Sequence, residues 1–160
     1  MHNVCSIRVS GVIARMTFEA SNVSVQLNHT IVWCRDKQKS ATFLTEVLGL
    51  PGPTRFGPML VVQLNNGVSM DFYENDGQIS SQHYAFLIGE DDFQPVFDRI
   101  RRRGLPYWAD PGKHRPGEIN RNDGGHGMYF EDPDGHLLEV LTRPYGSGGP
   151  SSEPSAAVDG

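Results

Sequence analysis

Cysteine is scarce: Cys5 and Cys34 are the only two in a chain of 160 residues. Two cysteines without a Cys-x-x-Cys spacing build no disulfide framework, so a reduced, cytoplasmic protein is expected. Long apolar runs are missing as well. No stretch approaches a membrane span, and the N-terminal region has neither a long apolar core nor the small-residue cleavage site of a secretory signal. Positive charge is outnumbered, with 14 Lys and Arg against 19 Asp and Glu and a net charge of −5 at pH 7. The one basic cluster, Arg101-Arg102-Arg103, falls at the end of a predicted helix, where cations suit the dipole. Neither nucleic acid nor a membrane is therefore an expected partner. Gly124-Gly125 is no phosphate loop, since no Lys-Ser/Thr follows and no strand-to-helix junction surrounds it.

What the chain does carry is one pattern stated twice. Asn28-His29-Thr30-Ile31-Val32-Trp33 opens a half that closes on Gly67-Val68-Ser69-Met70-Asp71-Phe72, and Gln82-His83-Tyr84-Ala85-Phe86-Leu87 opens one that closes on Gly135-His136-Leu137-Leu138-Glu139-Val140. Each half begins on a strand-like run with a histidine and ends on one whose acid stands four residues after a glycine. A helix-like segment ending in Gly-Leu (Gly49-Leu50, Gly104-Leu105) lies between them in both. Length suits one domain with a real core, here two small modules of about 26–76 and 80–143 sharing one fold. Residues 1–25 read as an N-terminal extension without a match to the repeat. The polar run from Tyr145, within a 144–160 tail, buries too little surface to order itself and reads as disordered.

Local signals set the element order. Leu27 to Cys34 is a strand, and Asp36 caps a helix running to Leu48 with Ala41, Leu44, Val47 and Leu48 on its apolar face and Gly49 as its stop. Leu60–Leu64 and Val68–Tyr73 flank Asn65-Asn66-Gly67, a strong hairpin signal. In the second half His83–Ile88 is a strand, and Asp91 or Asp92 caps a helix with Phe93, Val96, Phe97 and Ile100 inward. A Pro- and Gly-rich loop, Asp110 to Gly125, precedes strands Gly127–Glu131 and His136–Thr142, joined by Asp132-Pro133-Asp134-Gly135. The class is α+β, with order β-α-β-β twice and room for one extra short strand per half.

Alternation along strands sorts the faces. His29 shares a face with Ile31 and Trp33, Asp71 with Ser69 and Tyr73, His83 with Ala85 and Leu87, and Glu139 with Leu137 and Leu141. In most of these strands the opposite face is continuously apolar, as packing under helices requires. Two histidines and two acids then share one face. A lone strand histidine is ordinarily a satisfied core or surface residue; at matching places in a duplicated unit, a metal site is the better reading. Among the other histidines, His136 at its turn is read as structural, and His126 and His114 as loop residues.

Leu27-Asn28-His29, His83-Tyr84-Ala85-Phe86 and Tyr129-Phe130-Glu131-Asp132-Pro133-Asp134-Gly135-His136-Leu137-Leu138-Glu139 resemble the vicinal oxygen chelate superfamily of glyoxalase I, fosfomycin- and bleomycin-resistance proteins and extradiol dioxygenases. The resemblance implies two paired β-α-β-β-β modules forming a curled mixed-sheet cup, with helices on the outer face. It implies one divalent metal ion (Ni, Mn, Zn or Fe(II)) held by His29, His83 and Glu139, with Asp71 in the place of a fourth acid where the family has glutamate. Aspartate is a methylene shorter, so Asp71 is either a ligand, a ligand through water, or a general base; Asp71 and Glu139 are the catalytic candidates. Trp33 and Tyr129 are expected to line the cup, and Arg115 and Arg121 to reach substrate from the long loop.

The function so implied is a metal-dependent enzyme on a small substrate with adjacent oxygens: glyoxalase-like lyase or isomerase, thiol transferase, or dioxygenase. The alternative is a metal-free sequestering protein of the bleomycin-resistance type, which would have no need of ligands at those three positions. Members of this length commonly form homodimers, so the site lies either across two chains or within one closing like a clamshell.

Overall fold

In the computed structural model residues 24–148 are described. The expectations for the extension, apart from its last two residues, and for the tail beyond 148 lie outside them. The first sheet contains β1 (His29–Cys34), β2 (Thr54–Phe56), β3 (Met59–Gln63) and β4 (Ser69–Glu74), with α1 (Lys37–Leu48) between β1 and β2. The second contains β5 (His83–Leu87), β6 (Tyr107–Trp108), β7 (Gly127–Glu131) and β8 (Leu137–Leu141), with α2 (Glu90–Arg102) between β5 and β6. The strand orders are β1-β4-β3-β2 and β5-β8-β7-β6, each opening with one parallel pair and continuing antiparallel. The architecture is the α+β pair of β-α-β-β-β units, and the extra short strand of each half is β2 or β6.

The local chemistry explains the boundaries. The Asp36 carboxylate accepts from the Lys39 amide at 2.9 Å, and the Gly49 amide closes α1 onto the Thr45 carbonyl at 2.8 Å. The hairpin turns need a left-handed backbone, which Gly67 and Gly135 supply, each at φ 83°. At α2 the cap differs from expectation: Gly89 occupies that position without a side-chain bond, and Glu90, Asp91 and Asp92 all lie inside the first turn. Three carboxylates there suit the positive end of the helix dipole, which does the work a capping side chain would do.

Strand alternation has the predicted sense. Val32, Cys34, Met70, Phe72, Phe86, Met128, Phe130, Leu138 and Val140 are buried against Ala41, Leu44, Val47, Phe93, Val96 and Ile100 of the helices, in one core common to both units. Burying each large side chain contributes about 1.5–3 kcal/mol. The units are also joined by polar contacts to backbone. Arg99 Nε donates to the Val47 carbonyl at 2.8 Å, and Asp134 takes the Arg35 amide at 2.9 Å and the Ser40 hydroxyl at 2.6 Å. His136, 1% exposed, accepts the Gln82 amide at Nδ1 (3.0 Å) and reaches the Trp33 carbonyl through Nε2 (2.8 Å). Its structural role is thus a bond between β1 and the residue just before β5.

Cys34 is fully buried, and its thiol is pushed up to about 12 by burial and by nearby carboxylates, Asp134 and Glu74 foremost. Iodoacetamide at neutral pH should leave the Cys34 peptide unlabelled in native protein and label it after denaturation; native labelling at the denatured rate would contradict this packing. Among the described residues, no helix is long and apolar enough to cross a membrane.

Candidate metal centre

The two sheets repeat each other residue by residue on their helix-free faces. In the first, His29 lies opposite Ser69, and Asp71 lies between Ile31 and Val61. In the second, His83 lies opposite Leu137, and Glu139 lies between Ala85 and Tyr129. A histidine at the start of a parallel strand and an acid two positions further along its neighbour are thereby set diagonally on one surface in each module.

Only the second pair meets. Glu139 is 2% exposed, and its Oε2 stands 3.2 Å from His83 Nε2. The other ring nitrogen of His83 is 3.1 Å from the Leu137 carbonyl oxygen, an acceptor, so Nδ1 carries the proton. In the neutral ring Nε2 is then a lone pair aimed at a carboxylate oxygen. Two acceptors do not face each other at that distance unless a positive charge joins them, either a second ring proton or a bound cation. An imidazole oriented through its far nitrogen by a backbone carbonyl, beside a carboxylate, is the donor set that divalent transition metals take.

The first pair is laid out alike but kept apart. The His29 ring bonds Asn28 Oδ1 at 2.9 Å, while the buried Asp71 accepts the Ser69 hydroxyl at 2.8 Å. Among the described residues no three His, Cys, Asp or Glu side chains converge in one chain. His29 and Asp71 on one side, and His83 and Glu139 on the other, are therefore two separate His/acid pairs in a single chain.

Tyr129, beside Glu139, stacks on His83 with ring centroids 6.0 Å apart. Its hydroxyl is 2.7 Å from that of Tyr145, which in turn donates to Glu139 Oε1. Burial first, then Tyr145 and Glu139, hold the Tyr129 phenol far above its ordinary range; burial and then the bond to Glu139 push Tyr145 up to about 12, against the bond from Tyr129, which lowers it. Tyr145 is the residue that sequence reasoning missed. Its glycine- and serine-rich surroundings read as tail, and a lone aromatic following Pro144 was the available signal.

Trp33 shares the His29 face, 45% exposed, edge-on to Tyr73 with centroids 5.4 Å apart. The long loop is tied down: Asp110 accepts the amides of His114 and Arg115, and Asn120 pairs with Gly127 and reaches the Ala109 carbonyl. Arg121 lies 2.9 Å from His126 Nε2, and the same ring bonds Glu90 through Nδ1 and lies 5.2 Å from Phe93. His126 consequently faces α2, in step with Met128 and Phe130. The Arg115 amide is held by Asp110 at 2.9 Å, which places that residue in the turn's framework.

A family profile described as the Glyoxalase/Bleomycin resistance protein/Dioxygenase superfamily matches residues 26–140. This chain belongs to that superfamily. It is similar to a solved structure named Oxidase ChaP-H2, with 61% identity over 79% of this chain and 100% of that one and a TM-score of 0.77. Oxidase ChaP-H1 is similar at 59% identity, over 77% and 99%, with a TM-score of 0.76. Glutathione transferase FosA of Serratia marcescens is 32% identical over 120 residues, 71% of this chain and 78% of that protein. The relatives matched are thus named as enzymes, an oxidase pair and a thiol transferase.

Proposed function

We propose that this protein is a metal-dependent oxidase acting on a small substrate with two adjacent oxygens. It works as a homodimer in which His83 and Glu139 of one copy meet His29 of the other. The observation that carries this reading is the convergence of an imidazole nitrogen, His83 Nε2, and the buried carboxylate oxygen Glu139 Oε2 at 3.2 Å. The matching layout of His29 and Asp71 in the other module supports a shared site, because these residues have the right face and register yet do not reach the first pair within one chain. Identity of 61% and 59% to two named oxidases favours oxidation over the thiol transfer of the more distant transferase.

When bound, a divalent metal supplies Lewis acidity toward both substrate oxygens, and an oxidase that reduces dioxygen favours Fe(II) or Mn(II) over Zn(II) or Ni(II). The chain's residues do the rest. Glu139 and His83 hold the ion. Asp71, with one oxygen on Ser69, keeps the other for a ligand bond or a proton. Trp33 and Tyr129 flank the substrate, while Arg121, bonded to His126 on the α2 side, does not face it. A reducing compartment such as the cytoplasm suits Fe(II) and the free thiol of Cys34.

Elemental analysis of protein purified without chelator or metal-affinity tag should find about one transition metal per chain. His83→Ala should lose it while the apo protein unfolds at the parent's temperature, because Tyr84 and Phe86 on the other face of β5 are untouched. Undiminished metal in that variant would refute the site. Rapid glutathione consumption with fosfomycin, without dioxygen uptake on catechol-type probes, would move the reaction to the transferase class.

A further inference from the structure

We infer that Tyr145 is a positioning residue that limits Glu139 to presenting one oxygen to the metal; this rests on Glu139 being a ligand. The Glu139 carboxylate is buried, and its two oxygens have different partners: Oε2 faces His83 Nε2 at 3.2 Å, and Oε1 receives the Tyr145 hydroxyl. A carboxylate accepts only, so the single Tyr145 proton is committed to Oε1. Tyr129, 2.7 Å away, must then donate to the Tyr145 oxygen. The chain of donors runs one way, from Tyr129 through Tyr145 to Glu139, and Tyr129 also lies against the His83 ring. One pair of phenols thus supports both members of the half-site.

Tyr145 is itself held from two sides. It stands four residues beyond the end of β8, in a segment that folds back over the short 3-10 turn Asn122–Gly124. The Ser147 amide closes onto the Pro144 carbonyl at 3.1 Å, and the Gly148 amide onto Asp123 Oδ1 at 3.0 Å. A Cβ on Gly148 would lie 2.4 Å from Asp123 Cα, so backbone meets backbone there with no room for a side chain. The hydroxyl is delivered by a seated segment.

The chemical consequence lies in the number of open positions. The terminal torsion of glutamate is soft, and a free carboxylate can turn both oxygens to a cation. With Oε1 bonded to Tyr145, Glu139 takes one coordination position and leaves more for two substrate oxygens. Partners of ligating carboxylates that lie one step from the metal typically change affinity or activity 10- to 100-fold when removed.

Tyr145→Phe keeps the ring and deletes the hydroxyl. Titration of apo protein with Mn(II) and with Zn(II) should show affinity changed about tenfold or more. The infrared splitting of the carboxylate stretch in the Zn(II) form should shift from one-oxygen toward two-oxygen binding. Affinity equal to the parent's, or an unshifted splitting, overturns the inference. A parent that binds neither metal would instead sink the metal reading itself, so the two failures are distinct.

Discussion

Mixing His29→Ala chains with His83→Ala chains should restore metal binding that neither variant has alone. In a dimer whose sites cross the chains, the mixed species has one site lacking both histidines. Its other site is intact, with His29 from the His83→Ala chain and His83 and Glu139 from the His29→Ala chain. Random pairing makes half the dimers mixed and repairs half the sites in each, so about a quarter of the parent's metal should return. A site built within one chain gives no such recovery, because every chain would still lack a ligand. The readout is bound metal after co-expression or co-refolding, with native mass spectrometry confirming that mixed dimers are present. Mixed dimers without recovered metal would rule out the shared site. The expectation rests on the proposed shared site and on the two His/acid pairs, alike in register and separate in one chain.

His136→Ala should be a damaging change outside the candidate metal centre, lowering stability by about 2–3 kcal/mol. The ring is 1% exposed and bonds the Gln82 amide and the Trp33 carbonyl, two backbone groups that alanine would leave unsatisfied. The two orphaned groups are part-buried, so their loss together with the vacated ring volume accounts for about 2–3 kcal/mol. Nδ1 accepts from the Gln82 amide, and Nε2 bonds the Trp33 carbonyl. Because the partners belong to β1 and to the residue before His83, the loss also loosens one module from the other. Denaturant unfolding of the apo variant measures it. His114→Ala, a change of the same kind at a side chain 84% exposed, should stay within about 1 kcal/mol of the parent. Equal effects of the two would show that the His136 bonds carry no stability.

The same residue shows where sequence and structure part. That His136 is structural was legible from its place in a turn; that it joins two modules was not, because its partners are backbone atoms. The Arg35 amide and the Val47 carbonyl, bonded by Asp134 and Arg99, are equally silent in sequence. Tyr145 was hidden differently, since its neighbours predict a tail and its anchor, Asp123, acts through a backbone contact. Gly89 replaced the expected aspartate cap because three acids in the first turn made a side-chain cap unnecessary.

Sequence alone determined the duplicated β-α-β-β frame, the turns at Gly67 and Gly135, the helix span from Asp36 to Gly49, and the face on which His29, Asp71, His83 and Glu139 stand. These follow from local rules: a strand alternates with period two, a turn needs a particular φ, and a cap needs an oxygen at one place. Tertiary structure alone decided that His83 and Glu139 meet at 3.2 Å while His29 and Asp71 stay apart from them, and that Tyr145 closes on the buried acid. Those outcomes depend on how two modules rest on each other, and that is set by a common core and backbone hydrogen bonds, which no residue pattern within either module encodes.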